Sequence, residues 1–354
     1  MRHICTRCFR TSVDGNLWCQ EKYCPAEDSP EILEHGDVIG DMEVVNLVSV
    51  LRTSALYEAR RGSERILVKI AHAGFQEKLK REAKLLYDLQ AKRRHPTLPI
   101  LLPAYEGASL KDLPYGKTVY AGKTRYYEVF EFVGGETLRA LLVKNPTPWY
   151  QTVGWVMLAL ADVVAYLHQA GRLHFCLSPD MVLVRYDNRG IPRAVLFDLG
   201  LADTAQNLVG TWDKHFVAAE YIAPELIEMK GKIGPATDVY GLGMVLYEML
   251  AGRPAFDYRL GRDEDVYLDI LNKTPPPTGR TDLKNIPQAA ERAISKDYSA
   301  RQPDVINLAA ELQANMPRLP VERRPFQVNW RMVAILTGAA MVISLLLALA
   351  VVIQ

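Results

Sequence analysis

The chain has 354 residues, and its 42 Lys and Arg against 41 Asp and Glu give a formal net charge of +1. That balance offers no electrostatic case for binding nucleic acid in bulk, and no such partner is expected. The length exceeds the roughly 250–300 residues of a usual single core, so it suits one large two-lobed domain with small appendages.

Four of the five cysteines fall in the first 24 residues: Cys5, Cys8, Cys19 and Cys24. Their C-x2-C and C-x4-C pairs suit two loops converging on one tetrahedral ion, and thiolate sulfur is a favoured ligand for structural zinc. Two disulfides are the alternative, which an oxidising compartment would favour. Met1 to Arg10 has no apolar core of signal-peptide length, so export of the N-terminus is not expected. Residues 1–30 resemble a small zinc ribbon, with a structural or partner-binding role, because four protein ligands leave no open position for catalysis. Residues 31–42, acidic and turn-rich, read as a linker.

From Asn46 to Ile70 apolar and polar residues alternate in the manner of antiparallel strands, ending in Val68-Lys69-Ile70. A helix follows over Phe75 to Lys92 and carries Arg81-Glu82-Ala83. Tyr126 to Leu142 begins as a strand and ends as a helix, and Pro148 to Gly171 is apolar at helical spacing. Next come His174-Phe175-Cys176-Leu177-Ser178-Pro179-Asp180-Met181, Asp198-Leu199-Gly200, Ala223-Pro224-Glu225, Asp238 at the head of another apolar helix, and Arg301.

In this order, residues 43–316 resemble a protein kinase of the serine/threonine type. The resemblance implies an α+β, bilobal fold with a β-rich N-lobe and a helical C-lobe. It places Lys69 as the strand lysine that meets nucleotide phosphates, Glu82 as its helix partner, and Asp198 as a carboxylate able to hold magnesium. The backbone of Glu131 and Val133 would face an adenine, with Phe130 behind it. His174, Glu225, Asp238 and Arg301 are the framework residues: His174 buttresses the loop, Asp238 holds its backbone, and Arg301 pairs with Glu225.

The positions that serve phosphate chemistry differ from the family pattern. The loop of that family reads H-R-D-L-x-x-x-N, with Asp as base and Asn on the second metal; here the two positions hold Cys176 and Met181. A thiol with a pKa near 8.5 is mostly protonated at neutral pH and a weak acceptor. A thioether is a poor ligand for magnesium, which prefers hard oxygen. Ser178 stands where a lysine usually contacts phosphate, and Val217-Ala218 where a Gly-Thr pair is usual. Ser49, Leu51 and Ser54 replace the glycines of the phosphate-covering loop, where the backbone must approach the ligand closely. No catalytic set is therefore intact, and a pseudokinase is expected, a scaffold or allosteric partner without efficient phosphoryl transfer, for which binding of ATP and magnesium stays an open question. The alternative is a divergent, active serine/threonine kinase.

Residues 317–331 form a short proline-containing tether with Arg318, Arg323, Arg324 and Arg331. Residues 332–353 carry no charge; at about 1.5 Å per residue they make about 33 Å of helix, enough to cross a bilayer core. Cationic flanks stay cytoplasmic and Trp330 suits an interface, so a single-pass anchor is expected with the zinc module and kinase-like domain in the cytoplasm. Only Gln354 follows the span, so no domain is expected beyond it. Protein partners are expected on the kinase-like domain and the zinc module.

Overall fold

The computed structural model describes residues 2–6, 11–12, 30–208, 210–256 and 262–316. Cys8, Cys19, Cys24, the tether 317–331 and the apolar run 332–353 lie outside these residues.

Three short strands open the chain: β1 (Arg2–Ile4), β2 (Thr11–Ser12) and β3 (Glu31–Ile32), in the order β2-β1-β3 and antiparallel. Residues 31–42 are therefore not the linker that their composition suggests. Glu31 pairs with His3 in the strand register, and its carboxylate accepts a 2.6 Å bond from Lys123 and a second bond from Arg125. Ile32, Leu33 and Ile39 are buried with the apolar strand residues that follow. Strand β4 (Val38–Ile39) turns through Gly40 and Asp41 into β5 (Met42–Val50). Gly40 takes φ +62°, as a tight two-residue hairpin requires. The β-rich lobe thus begins at Val38, before residue 43, because acidic composition masked buried apolar positions.

Strands β6 (Ser54–Arg61), β7 (Glu64–Ala71), β8 (Leu101–Leu102), β9 (Gly116–Tyr120) and β10 (Lys123–Glu131) complete the sheet. Its order is β4-β5-β6-β7-β10-β8, with β9 on β10. Helix α1 (Gln76–Lys92) lies between β7 and β8 in sequence and buries Leu79, Glu82, Ala83, Leu86 and Leu89. That three- and four-residue spacing is one face of a helix. Four members of the face are apolar, so Glu82 enters the core with them.

The helical lobe starts with β11 (Glu136–Thr137) and α2 (Leu138–Lys144), whose first turn is capped by Thr137 Oγ1 accepting the Ala140 N–H at 3.0 Å. Helix α3 (Tyr150–Gln169) is long and apolar enough to cross a membrane by length and composition, yet it is a core helix. Val153, Val156, Met157, Leu160, Val163, Val164 and Leu167 are all buried along it. Strands β12 (Val182–Tyr186) and β13 (Pro192–Leu196) form a hairpin, and β12 also pairs with β11. Then follow α4 (Ala205–Leu208), α5 (Pro224–Glu228), α6 (Pro235–Ala251), α7 (Asp263–Asn272), α8 (Ile286–Ala293) and α9 (Val305–Asn315). Helix α6 is buried on all sides from Ala236 to Leu250. A side chain at Gly243 would come within 2.6 Å of the Ala293 methyl, so glycine permits the close approach of α6 to α8.

Candidate functional site

The sheet and the helical lobe meet around Lys69. It lies on β7, where pairing with β6 and β10 buries it to 2% exposure. Its ammonium donates to Asp198 Oδ1 at 2.8 Å and to Glu82 Oε2. Glu82 is delivered by the buried face of α1, and its other oxygen accepts the Leu199 N–H at 3.0 Å. Asp198 sits at φ +74°, a conformation that costs a non-glycine residue energy and turns its carboxylate back to the cluster. A side chain at Gly200 would stand 3.2 Å from both Asp198 Oδ1 and Glu82 Oε2, which explains glycine there. The structure therefore brings Lys69, Glu82 and Asp198 together.

A fourth group completes the cluster, and the sequence reading did not single it out. Glu128 is the direct cross-strand partner of Lys69 in the β7–β10 pairing and is fully buried. Its two oxygens have no hydrogen-bond partner among the described residues. Burial, with Glu82 close by, pushes its carboxyl well above the usual range. Burial also raises Glu82, to about 7, against the pull of Lys69. For Asp198 burial opposes ionisation, but Lys69 outweighs it and holds the carboxyl low. Burial would lower Lys69, yet Asp198, Glu82 and Glu128 keep it charged and raise it. Aligning Val68-Lys69-Ile70 against Tyr127-Glu128-Val129 as neighbouring strands would have exposed this pair.

The space directly beside Lys69 is small. A cavity of about 10 Å³, roughly enough for one water, is lined by Ser49, Leu51, Lys69, Met181, Leu183 and Phe197 among others. Ligand pockets run to about 300–1,000 Å³, so the small cavity that Lys69 itself lines is far below nucleotide size. Phe130 is fully buried and meets Phe197 edge-on at 5.5 Å. The Glu131 N–H is already used, donating to the Ile100 carbonyl at 2.9 Å. Val133 is half-buried and packs on the main core.

The turn between β5 and β6 is tied to the helical lobe. Ser49 Oγ donates to the Asp180 carbonyl at 2.8 Å, tying β5 to the loop after Cys176. Arg52 crosses to α7 and donates to both oxygens of Asp263, at 2.6 and 3.0 Å. His72 Nε2 lies 3.0 Å from the Leu51 carbonyl and steadies the turn from the sheet side.

The loop from Leu173 to Met181 is fixed by its backbone. Asp238 accepts the His174 N–H at 2.8 Å and the Phe175 N–H at 2.7 Å. It also bonds His168 Nε2 at 2.8 Å. Phe175 adopts φ +71°, which directs its ring to an edge contact with Trp212. His174 is buried beneath the loop, and Glu225 receives two 2.8 Å bonds from Arg301. Cys176 is buried, with Sγ 3.8 Å from the His174 carbonyl. Burial and Asp198 push its thiol well up, and the offsetting charges of Lys78 and Lys69 do not reverse this. Lys78 on α1 is a nearby cation that the local sequence around Cys176 did not reveal; burial and Arg81 lower it to about 8.

A second cavity, of about 350 Å³, is lined by Leu51, Met181 and Asp198 together with Arg139, Asp180 and Glu220 among others, so it reaches the carboxylate that holds Lys69. Arg139, from α2, donates to Asp180 at 3.3 Å, to Glu248 and to the Tyr221 hydroxyl. Sequence reading missed it, since its partners come from three distant segments. Glu220 is buried with one oxygen unpartnered among the described residues, and burial raises its carboxyl to about 7.

Of the four N-terminal cysteines only Cys5 is described, and it is buried with Ile4. Among the described residues no group of three or more His, Cys, Asp or Glu side chains is placed to hold a metal ion.

Known proteins give the same frame. The chain is 35% identical over 144 residues to CBL-interacting protein kinase 1 of Oryza sativa subsp. japonica, 40% of this chain and 30% of that protein. It is 28% identical over 214 residues to serine/threonine-protein kinase SSN3 of Scheffersomyces stipitis, 58% of this chain and 46% of that one. With putative cyclin-dependent kinase F-2 of Oryza sativa subsp. japonica it shares 31% identity over 255 residues, 69% of this chain and 70% of the relative. The chain thus spans a third to a half of the length of the first two proteins. The family model for a protein kinase domain matches residues 68–305, the stretch that carries Lys69, Glu82, Asp198, Asp238 and the Glu225–Arg301 pair. With that model covering more than half of its 354 residues, the chain belongs to the protein kinase family.

Proposed function

We propose that this chain is a pseudokinase, a kinase-fold domain that works as a scaffold or allosteric partner and does not transfer phosphate efficiently. The observation that carries this reading is the buried Cys176 at the position of the catalytic base, with the buried Met181 at that of the second metal ligand. The chemistry agrees. A general base must accept the proton of the attacking hydroxyl, and the group at that position is a buried thiol held neutral. Met181 offers sulfur where a magnesium ligand is needed. What remains is framework: Lys69 with its carboxylates, Asp238 under the loop, and Glu225 with Arg301.

The zinc module of residues 1–30 and the membrane-spanning helix of residues 332–353 belong to the same proposal and rest on sequence alone. Together they describe a domain held at the cytoplasmic face of a membrane, with partners engaged through the kinase-like domain and the zinc module.

A second reading, a divergent active serine/threonine kinase, draws on one observation: Lys69, Glu82 and Asp198 are assembled as phosphoryl transfer requires. Thermal denaturation with millimolar ATP, with and without magnesium, and phosphate transfer by the purified protein separate the two. The pseudokinase reading expects no efficient transfer, and the shift shows whether nucleotide binds without it. Transfer abolished by both Lys69→Ala and Asp198→Ala would overturn it.

A further inference from the structure

We propose that Glu128 is a second carboxylate partner for Lys69, ready to take the lysine over when α1 leaves, so that the lysine has two positions built into the fold. The two residues face each other across the β7–β10 pairing. Directly opposed residues of antiparallel strands keep their Cβ atoms about 4.5–5.5 Å apart on one face of the sheet. Glu128 therefore stays beside Lys69 wherever α1 goes. Glu82 does not, because it arrives on a separate helix held by its apolar face.

Three further observations support the exchange. Both oxygens of Glu128 are buried and unpartnered among the described residues while Lys69 is on Glu82. Buried polar groups are nearly always satisfied, so an orphaned pair calls for a partner, and Lys69 is the donor the strand register places beside it. An ammonium carries three donors, and the bonds to Glu82 and Asp198 account for two. Finally, the groups facing Glu128 are Lys69 from β7, Glu82 from α1 and Asp198 after β13. Three carboxylates then share one ammonium, which favours a neutral Glu128 while α1 is docked. Departure of Glu82 removes one negative charge and frees a lysine donor, and both changes favour an ionised Glu128 on Lys69.

The consequence is that undocking α1 would leave Lys69 with two carboxylates, Asp198 and Glu128, where otherwise Asp198 alone would hold it. The sheet thus supplies a replacement for the partner that the helix takes away. This holds whether or not the domain transfers phosphate.

The test is a double-mutant cycle on the whole chain with Glu82→Gln, Glu128→Gln and both together, read by thermal denaturation and by amide hydrogen exchange along α1. Glu82→Gln should fold and speed exchange in α1, because Glu128 receives the lysine. Glu128→Gln should slow exchange in α1 about tenfold, since the undocked state loses its partner. Glu128→Asp, which keeps the acid, should return exchange towards the original rate. The double variant should lose more stability than the two single changes summed, and failure of the double alone to fold is the extreme of that non-additivity. Additive effects, or α1 exchange unmoved by Glu128→Gln, would overturn the proposal.

Discussion

Arg52, at the tip of the β5–β6 turn, grips Asp263 at the head of α7 through two N–H···O bonds of 2.6 and 3.0 Å, and so bolts the sheet lobe to the helical lobe. Both side chains are largely buried, at 14% and 9% exposure, so the pair is not a solvent-screened surface contact. Arg52→Ala removes two N–H···O bonds from the Asp263 carboxylate, which keeps His215 at 3.7 Å, and should cost about 1.5–3 kcal/mol. Hydrogen exchange in residues 49–54 should rise with the fall in melting temperature. A loss of stability with no change of exchange in the turn would show that Arg52 does not hold the turn.

Leu51 and Met181 line the small cavity beside Lys69. Leu51→Gly combined with Met181→Asn restores room and an oxygen ligand at one stroke. The double variant should show a magnesium-dependent ATP shift a few degrees larger than that of the unaltered chain. Phosphate transfer should remain absent, because Cys176 is unchanged.

Arg301 joins Glu225 to the backbone of Ser295 and Ala236 inside the helical lobe. Arg301→Ala should destabilise the domain by about 3–5 kcal/mol, as expected when a buried charge loses its partner. Chemical denaturation measures this directly. A cost below about 1 kcal/mol would mean that solvent reaches Glu225.

Glu220 makes stability depend on pH. Burial lifts its carboxyl from 4.5 to about 7 in the folded chain. A raised acid binds its proton more tightly when folded, so its contribution is complete below about pH 4.5 and is lost as pH rises towards 7. The full span is about 3 kcal/mol at about 1.4 kcal/mol per pH unit. Glu220→Gln should remove that part of the slope between pH 4.5 and 7. An unchanged slope would show that Glu220 ionises normally.

The N-terminal module is tested by metal content. Purified protein should carry one zinc per chain, and Cys19→Ser should release it and lower the stability of residues 1–30 without altering the kinase-like domain. Disulfides detected by thiol titration under non-reducing conditions, with no zinc present, would favour the alternative pairing.

The sequence by itself determined the family frame and most of its fixed points. Val68-Lys69-Ile70, Asp198-Leu199-Gly200, Ala223-Pro224-Glu225 and Asp238 are legible because each rests on a local pattern: a strand run, a tight turn, a helix start. Cys176 and Met181 are equally plain, since the identity of a side chain states what chemistry it cannot do. Only the tertiary structure decided the rest, because it depends on segments far apart in sequence. Glu31 and Ile39 look like parts of an acidic linker until they pair with β1 and β5. Arg139 has no evident role until Asp180, Tyr221 and Glu248 converge on it. The pairing register puts Glu128 opposite Lys69, and the bond from Arg52 to Asp263 joins two segments that no local motif would connect. Side-chain types set what each position can contribute, but strand register and lobe packing set which charges share a dry space, and in this protein that sharing governs what Lys69 can bind.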